Sequence, residues 1–304
     1  MKHRHHARIN HQGVREQVAV TTWRAMAQLA RADKPWPTAL LLWPSWWALW
    51  LANPTRPVLA NYLIFFIGAL LMRAAGCVIN DYMDRDLDRQ VKRTCKRPLA
   101  AKTLSTKQAL SLFITLLTLS AGLLVFLNQS CVILAVLAVA LVMIYPCTKR
   151  WISCPQLVLG VVFAWGVPMG FAANDQLTNP LAVLLFCSTA CWIIGFDTIY
   201  ALQDLADDLH LPIGSSAIAW NGYVDQAVTY CYATFLLGMA MVGYAAALAW
   251  FYSLAWLVAV YLLRRQVISL GGDEVDYYQV FRDNHHIGWV FAVGMVLDSY
   301  CSGG

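Results

Sequence analysis

The sequence predicts an all-α, multi-pass membrane protein, and its composition carries that prediction. Hydrophobic residues make up 59% of the chain and charged residues only 13%, whereas about a quarter of the residues in a soluble domain are charged. Trp, Tyr and Phe are frequent, and many of them flank apolar runs, as residues that anchor helices at a membrane interface do. The apolar runs are long enough for helices that cross a bilayer.

Nine apolar segments define a predicted bundle of nine transmembrane helices. Two of them come from one stretch, 226–264, which is too long for a single span and is expected to turn near Gly243 and Tyr244. The predicted spans are 36–52, 58–80, 107–127, 130–146, 156–173, 180–200, 226–245, 248–264 and 286–302.

The distribution of Lys and Arg predicts the orientation of this bundle. With the N-terminus inside, all of the 22 Lys and Arg except Arg56 and Arg73 lie in or beside cytoplasmic loops, as the positive-inside rule requires. The net charge of +5 therefore reflects topology, and no nucleic-acid partner is expected because the basic residues do not form one face. The expected location is the bacterial inner membrane, with the mitochondrial inner membrane as the alternative.

Residues 1–23 are expected to form a basic, disordered cytoplasmic tail, and residues 24–304 a single transmembrane domain. The tail lacks the apolar core of a secretory signal. Metal binding by the tail is an alternative, because it contains His3, His5, His6 and His11. The nine Cys have no metal or redox spacing and are interpreted as packing residues.

A cluster of acidic residues begins where the second predicted span ends. Asn80, Asp84 and Asp88 are spaced i, i+4 and i+8, so on a helix they form one stripe of oxygen ligands, with Asp81 beside it. Such oxygens suit Mg²⁺, which usually binds a few carboxylates and the phosphates of a substrate. If this were the one acidic cluster, a solvated helix end with salt bridges to neighbouring Arg residues would be enough to explain it.

A second acidic cluster follows the sixth predicted span, at the same side of the membrane. Tyr200, Asp204 and Asp208 share a face by their i+4 spacing, and Asp197 lies within the apolar run, where an ionisable group is costly and usually functional. A solvated helix end does not explain two such clusters. The pair therefore predicts a magnesium–diphosphate site, with Tyr200 able to stabilise a developing cation or to bond a phosphate oxygen.

Basic residues near these clusters are candidates for binding phosphate oxygens. Arg73 lies within the second span, where a snorkelling anchor is the alternative to a functional role. The positive-inside rule would also place the other residues here, so they are weak signals on their own. The candidates are Arg73, Lys92, Arg93, Arg97, Lys149 and Arg150, with Ser215 as a further possible anion contact.

These motifs resemble the two signatures of the UbiA superfamily of intramembrane prenyltransferases, over about residues 24–297. Further motifs resemble the branch that prenylates 4-hydroxybenzoate. The first signature is Asn80–Asp88 with Val91, Arg93-Thr94 and Arg97-Pro98-Leu99, the second is Asp197–Ala201 with Gln203-Asp204 and Asp207-Asp208, and the further motifs are Asp33-Lys34-Pro35, Leu40–Pro44, Tyr145-Pro146, Lys149-Arg150 and Pro155–Gly160.

The resemblance implies a nine-helix bundle around a central cavity that opens to the cytoplasm, and an enzyme of ubiquinone biosynthesis. It implies transfer of a polyprenyl group from a polyprenyl diphosphate to 4-hydroxybenzoate, ortho to the hydroxyl, within the lipid bilayer. Leu205 and Gly214 depart from the family, which usually has Lys at both positions. Two basic contacts to phosphate are therefore expected to be missing.

The expected mechanism assigns roles to these residues. Mg²⁺ neutralises the departing diphosphate, the ring attacks the allylic cation, and a carboxylate such as Asp197 takes the proton. The carboxylate of the acceptor needs a cation, for which Lys34, Arg73 and Arg150 are unranked candidates. The expected catalytic residues are Asp84, Asp204, Asp197 and Tyr200, and the expected metal ligands are Asn80, Asp81, Asp84, Asp88, Asp204 and Asp208.

Three alternatives stay open from the sequence. A different aromatic acceptor, such as a naphthoate, a homogentisate or a haem precursor, would use the same site. A family member of weakened activity would account for Leu205 and Gly214. A cation-coupled transporter would also carry acids in its spans, but it should place them near mid-membrane on broken helices.

Overall fold

The computed structural model describes residues 21–272 and 274–301, and within those ranges it contains helices and no strand. The predicted tail therefore lies outside the described residues except for 21–23, which begin a helix, α1 (21–29). The other helices are α2 (Trp36–Ala52), α3 (Leu59–Asp88), α4 (Thr106–Leu123), α5 (Gln129–Thr148), α6 (Gln156–Ala164), α7 (Gly166–Ala172), α8 (Pro180–Ala201), α9 (Leu205–Asp208), α10 (Ser216–Ala219), α11 (Val224–Ala245), α12 (Trp250–Ser269) and α13 (Tyr277–Cys301).

The prediction of an all-α membrane protein is confirmed, and each predicted apolar segment overlaps one helix or a helix pair. In the described part of the chain, six helices are long and apolar enough to cross a membrane, by length and composition. The stretch 226–264 folds as the expected hairpin, with its turn between Ala245 and Trp250. The six are Leu59–Asp88, Thr106–Phe126, Gln129–Thr148, Pro180–Asp208, Val224–Ala245 and Trp250–Ser269.

Two helix boundaries differ from the prediction because polar residues continue an apolar helix. The second span, expected to end at residue 80, continues to Asp88 as one helix of 30 residues. The last helix begins at Tyr277 rather than at 286. There the Asp276 side chain accepts a hydrogen bond from the backbone N–H of Gln279 at 3.0 Å, which is the capping contact that starts a helix. Its first two turns are polar, so hydropathy alone missed them.

The predicted span 156–173 is divided into α6 and α7 at Trp165. Pro168 has no N–H to donate to the carbonyl of Ala164, so the regular ladder is interrupted there. Close packing on α2 accompanies this break, because a Cβ at Gly166 would overlap the Ser45 hydroxyl and one at Gly170 would crowd Ala48. These glycines let α7 lie directly against α2.

An aromatic column fills the core between α2, α8, α11 and α13. Trp47 and Trp192 have ring centroids 5.5 Å apart, and Phe235 stacks on Trp192 at 5.4 Å. Below it, the Trp192 indole donates to Asn284 at 2.8 Å, and the Asn284 amide donates to Gln266 at 3.1 Å. Because buried polar groups are costly unless paired, this network fixes α8, α12 and α13 in one register.

Candidate active site

A cavity of about 1010 Å³ lies among α2, α3, α4, α5, α6 and α8. Most of its charged residues come from the ends of α3 and α8 and from the loops that follow them, and many of its apolar residues come from the interiors of α3, α4 and α5. One end of the cavity is therefore charged and the rest is apolar. Such a space accommodates an amphiphile with a polar head and a hydrocarbon chain.

The extension of α3 places three buried carboxylates at the charged end. Asp81, Asp84 and Asp88 are 1%, 3% and 7% exposed, and all three line the cavity. Asn80 also lines it, but its side-chain oxygen is buried with no hydrogen-bond partner. The predicted stripe therefore lines the cavity, with Asp81 beside it as expected.

Two arginines from different parts of the chain balance Asp81 and Asp88. Arg31, in the turn after α1, donates to both Asp81 oxygens at 2.8 Å. Arg97 donates to Asp81 at 3.1 Å and to both Asp88 oxygens at 3.0 Å. Buried carboxylates require such partners, so each acid of α3 is held in place by a cation.

Asp84 is paired with the basic pair that follows α5. Lys149 Nζ lies 2.8 Å from Asp84 Oδ2 and Arg150 Nη2 lies 3.3 Å from Asp84 Oδ1. Burial alone would lower the pKa of the Lys149 ammonium, but the negative charge of Asp84 raises that pKa above its ordinary value. Lys149 is therefore a fixed positive charge at the cavity wall.

The second acidic cluster also lines the cavity, and Arg93, in the loop after α3, binds it. Arg93 forms a bidentate ion pair with Asp204, in which Nε lies 2.7 Å from Oδ1, and it donates to the Tyr200 hydroxyl at 3.1 Å. Its guanidinium also lies 5.3 Å from the centroid of the Tyr200 ring. Asp208 lines the cavity as well, so the predicted face of Tyr200, Asp204 and Asp208 is presented to it.

Asp197 lies one helical turn deeper on α8 and also lines the cavity. Gln156, at the start of α6, lies beside the Asp197 carboxylate, and its side-chain oxygen accepts from the backbone N–H of Ser216 at 2.8 Å. Gln156 thus lies between Asp197 and the loop before α10.

Two predicted cations line the cavity without a carboxylate partner among the described residues. Arg73 donates only to the backbone carbonyl of Arg31, at 3.2 Å, and Lys34 makes no ion pair. Arg73 comes from the membrane-embedded part of α3, deeper than the acids. A free guanidinium at that depth is available to an anionic group of a ligand.

The remaining predicted residues are not directed into the interior of the cavity. Lys92 and Arg150 do not line the cavity; the backbone N–H of Lys92 donates to Asp207 at 3.0 Å. Ser215 lines the cavity, but its hydroxyl accepts the backbone N–H of Ala217 at 3.3 Å. These residues therefore support the walls of the site more than they face its interior.

Sequence reasoning missed Arg31 and Gln156. Arg31 has a φ of 55°, a left-handed conformation that few residues other than glycine adopt, and this turn directs α1 back over α3. Its pKa is raised because the charge of Asp81 outweighs the effect of burial. Gln156 lies within the Pro155–Gly160 motif, but it is uncharged and the motif did not indicate its role. Nothing local marked Arg31, and the partners of both residues are distant in the chain.

The chemistry of the site fits a hard cation such as Mg²⁺. No group of three His, Cys, Asp or Glu that could hold a metal ion alone occurs in the ranges 21–272 and 274–301. Mg²⁺ does not need such a group, since it usually binds one or two carboxylates together with substrate phosphates. The unpartnered amide oxygen of Asn80, beside Asp84, is the kind of ligand that such an ion would take.

Sequence comparison identifies relatives of this arrangement. The chain matches the UbiA prenyltransferase family over residues 41–276. It is 40% identical over 270 residues to 4-hydroxybenzoate octaprenyltransferase of Pseudoalteromonas translucida (strain TAC 125), covering 88% of this chain and 92% of the relative. It is 42% identical over 274 residues to the protein of the same name from Neisseria meningitidis serogroup B (strain ATCC BAA-335 / MC58), covering 90% and 93%.

Solved structures have the same fold. A UbiA homolog from Aeropyrum pernix K1 aligns with a TM-score of 0.76 at 23% identity, over 86% of this chain and 97% of the homolog. A UbiA homolog from Archaeoglobus fulgidus, bound to GPP and Mg²⁺, aligns with a TM-score of 0.68 at 15% identity, over 91% and 98%. The fold, the paired acidic clusters and the sequence match agree, and on that basis this chain belongs to the UbiA prenyltransferase family.

Proposed function

We propose that this protein transfers a polyprenyl group from a polyprenyl diphosphate to the ring of 4-hydroxybenzoate, ortho to its hydroxyl, as a step of ubiquinone biosynthesis. The observation that carries the proposal is the meeting of two acidic clusters at the charged end of one otherwise apolar cavity. The names of the relatives that are 40% identical over most of the chain support the choice of acceptor. A transporter gains no support, because these acids lie at helix ends.

The diphosphate head would bind between the two acidic clusters, with the prenyl chain along the apolar part of the cavity. Asn80, Asp81, Asp84 and Asp88 on one wall, and Asp204 and Asp208 on the other, would hold Mg²⁺. The ion, when bound, would supply Lewis-acid stabilisation of the leaving diphosphate. The Archaeoglobus homolog, which has this fold, is solved with GPP and Mg²⁺.

The cations of the site would exchange partners when the donor binds. In this structure Arg93, Arg97 and Lys149 neutralise Asp204, Asp88 and Asp84. A carboxylate that turned to a metal ion would release its cation to a phosphate oxygen, so charge balance would be kept throughout. This exchange would let a buried, highly charged site exist with and without the donor.

The hydrocarbon side of the reaction would depend on Tyr200 and Asp197. As the allylic C–O bond breaks, positive charge grows on the donor carbon, and the ring of Tyr200 would stabilise it electrostatically. The acceptor ring would form the new C–C bond, and the ring proton would leave to a carboxylate. Asp197 is the candidate because it lines the cavity one helical turn deeper than Tyr200.

The acceptor carboxylate would bind Arg73. This guanidinium has no carboxylate partner in the described chain and lies on the cavity wall near the acids. Lys34 is the second candidate. Arg150 is disfavoured, because it does not line the cavity and already donates to the carbonyl of Met83 and to Asp84.

The membrane topology belongs to the same proposal. Nine spans with a cytoplasmic N-terminus would put the charged end of the cavity at the cytoplasmic face of the bacterial inner membrane. Single cysteines at positions 102 and 209, in a Cys-depleted background, should both react with a membrane-impermeant thiol reagent only from the cytoplasmic side. Labelling of the two from opposite sides would refute the topology.

An acceptor panel tests the reaction. The purified protein is incubated with Mg²⁺, a polyprenyl diphosphate and one of three acceptors: 4-hydroxybenzoate, a dihydroxynaphthoate or homogentisate. Mass spectrometry should detect the prenylated product with 4-hydroxybenzoate and little with the others. If the protein prefers either of the other acceptors, 4-hydroxybenzoate is not its substrate. If no acceptor gives a product, the proposed activity is refuted.

A further inference from the structure

A second groove lies on the outer surface of the bundle, between α12 and α13, away from the cavity of the active site. Its volume is about 770 Å³, within the ~300–1,000 Å³ range of small-molecule sites. Its α12 wall runs from Phe251 to Ser269, roughly 27 Å of helix at about 1.5 Å per residue. No residue of the proposed mechanism takes part in it.

Most of the groove is apolar, and only one end is polar. Leu254, Val258, Val293 and Leu297 line it and are 38–54% exposed, so they face the hydrocarbon of a bilayer. The polar end is where α12 ends and α13 begins. There it is lined by Arg265, Gln266, Ser269, Gln279, Asp283 and His286. The shape and polarity match one lipid molecule, with acyl chains along the apolar wall and a headgroup at the interface.

The polar end contains one positive and one negative side chain that do not pair with each other. Arg265 makes no hydrogen bond or ion pair within the described chain, and Asp283 accepts only from the Gln279 amide, at 2.6 Å. The nearby Arg282 is directed elsewhere, to Gln279 and to the ring of Trp36. Two opposite charges at one groove end thus stay more than 4 Å apart, and neither has an ion-pair partner among the described residues.

We propose that this groove binds a glycerophospholipid whose headgroup joins a phosphate to a protonated primary amine. The phosphate would bind Arg265 and the ammonium would bind Asp283, so the headgroup spans the gap between the two charges. A purely anionic headgroup would satisfy Arg265 but would be repelled by Asp283. Charge complementarity therefore selects the zwitterionic amine lipid over the anionic one.

Native mass spectrometry of the full-length, delipidated protein in detergent tests this site. The probes are phosphatidylethanolamine, phosphatidylglycerol and phosphatidylcholine, and the variants are Arg265→Gln and Asp283→Asn. Arg264→Gln is the matched control, because Arg264 is the exposed neighbour of Arg265 but does not line the groove. An unchanged melting temperature in detergent identifies the variants that are folded.

Of the three lipids, phosphatidylethanolamine should bind most tightly to the wild type and to Arg264→Gln, with one molecule bound per protein. Each of the other two variants should lose roughly fivefold to tenfold in affinity, the effect of one charged hydrogen bond at an interface. Equal binding by all variants, or tighter binding of phosphatidylglycerol, would overturn the proposal. So would a lipid-free dimer, since a second copy of the chain would then cover the groove.

Discussion

Arg93 forms a bidentate ion pair with Asp204, and through it the loop after α3 is tied to the second acidic cluster 111 residues later in the chain. The same guanidinium donates to the Tyr200 hydroxyl. One side chain thus contacts an expected metal ligand and the ring expected to stabilise the allylic cation. The two walls of the site are held together by this arginine before any substrate binds.

We predict that Arg93→Gln raises the KM for the prenyl diphosphate roughly tenfold, because one charged hydrogen bond to a phosphate oxygen is lost. The KM for 4-hydroxybenzoate should change much less. Steady-state kinetics with each substrate varied in turn make the measurement. Arg89→Gln is the matched control, since Arg89 pairs with the exposed Asp86. Equal effects of the two variants would contradict the role given to Arg93.

Arg73 should set the affinity for the acceptor. Arg73→Gln is expected to raise the KM for 4-hydroxybenzoate roughly tenfold or more, because the variant cannot form a charged pair with the acceptor carboxylate. The KM for the donor should stay near the wild-type value. Methyl 4-hydroxybenzoate, which lacks the negative charge, should be used about equally by the variant and the wild type. If the variant loses donor affinity instead, Arg73 binds phosphate and Lys34 becomes the acceptor anchor.

The carboxylates of α3 are expected to differ by their position relative to the cavity. Asp84→Asn should lower kcat/KM roughly 100-fold or more, because a metal ligand is weakened and Lys149 loses its partner. Asp86→Asn should have little effect, since Asp86 is exposed and points away from the cavity. Size-exclusion chromatography in detergent should give monodisperse protein for both. Comparable losses of kcat/KM in the two variants would mean that the acids contribute only their negative charge, regardless of position.

Gly214 is packed closely against the loop that follows α5. Its N–H donates to the carbonyl of Lys149 at 2.7 Å, and a Cβ there would overlap the carbonyl oxygen of Ile152. Gly214→Ala should therefore lower the melting temperature by several degrees, equivalent to about 1–3 kcal/mol of overpacking. A Lys at this position is expected to disrupt the loop rather than to add a phosphate contact. Gly122→Ala, where a Cβ meets nothing within 4 Å, is the control and should be neutral or stabilising.

The helices and both acidic clusters followed from the sequence because hydropathy and i+4 spacing are local properties. The start of α13 did not, since its polar first turns resemble a loop. The pairing of individual cations with individual carboxylates could not be predicted from the sequence either. The pairing of Lys149 with Asp84 depends on how α5 packs beside α3, and that of Arg31 with Asp81 depends on a left-handed turn. Arg150 was expected to bind phosphate together with Lys149, but it contacts Asp84 without lining the cavity, because consecutive residues at a helix end point in different directions.

Prenylation of the 4-hydroxybenzoate ring that depends on Mg²⁺ can be measured with 4-hydroxybenzoate deuterated at both carbons ortho to the hydroxyl. The purified protein is incubated with this acceptor and a polyprenyl diphosphate, with Mg²⁺ or with a chelator, and the product is analysed by mass spectrometry. We expect a Mg²⁺-dependent product that has gained one prenyl group and lost one deuterium. A product that retains both deuterium atoms, or an equal yield in the presence of the chelator, would refute prenylation of the ring at the ortho carbon with Mg²⁺.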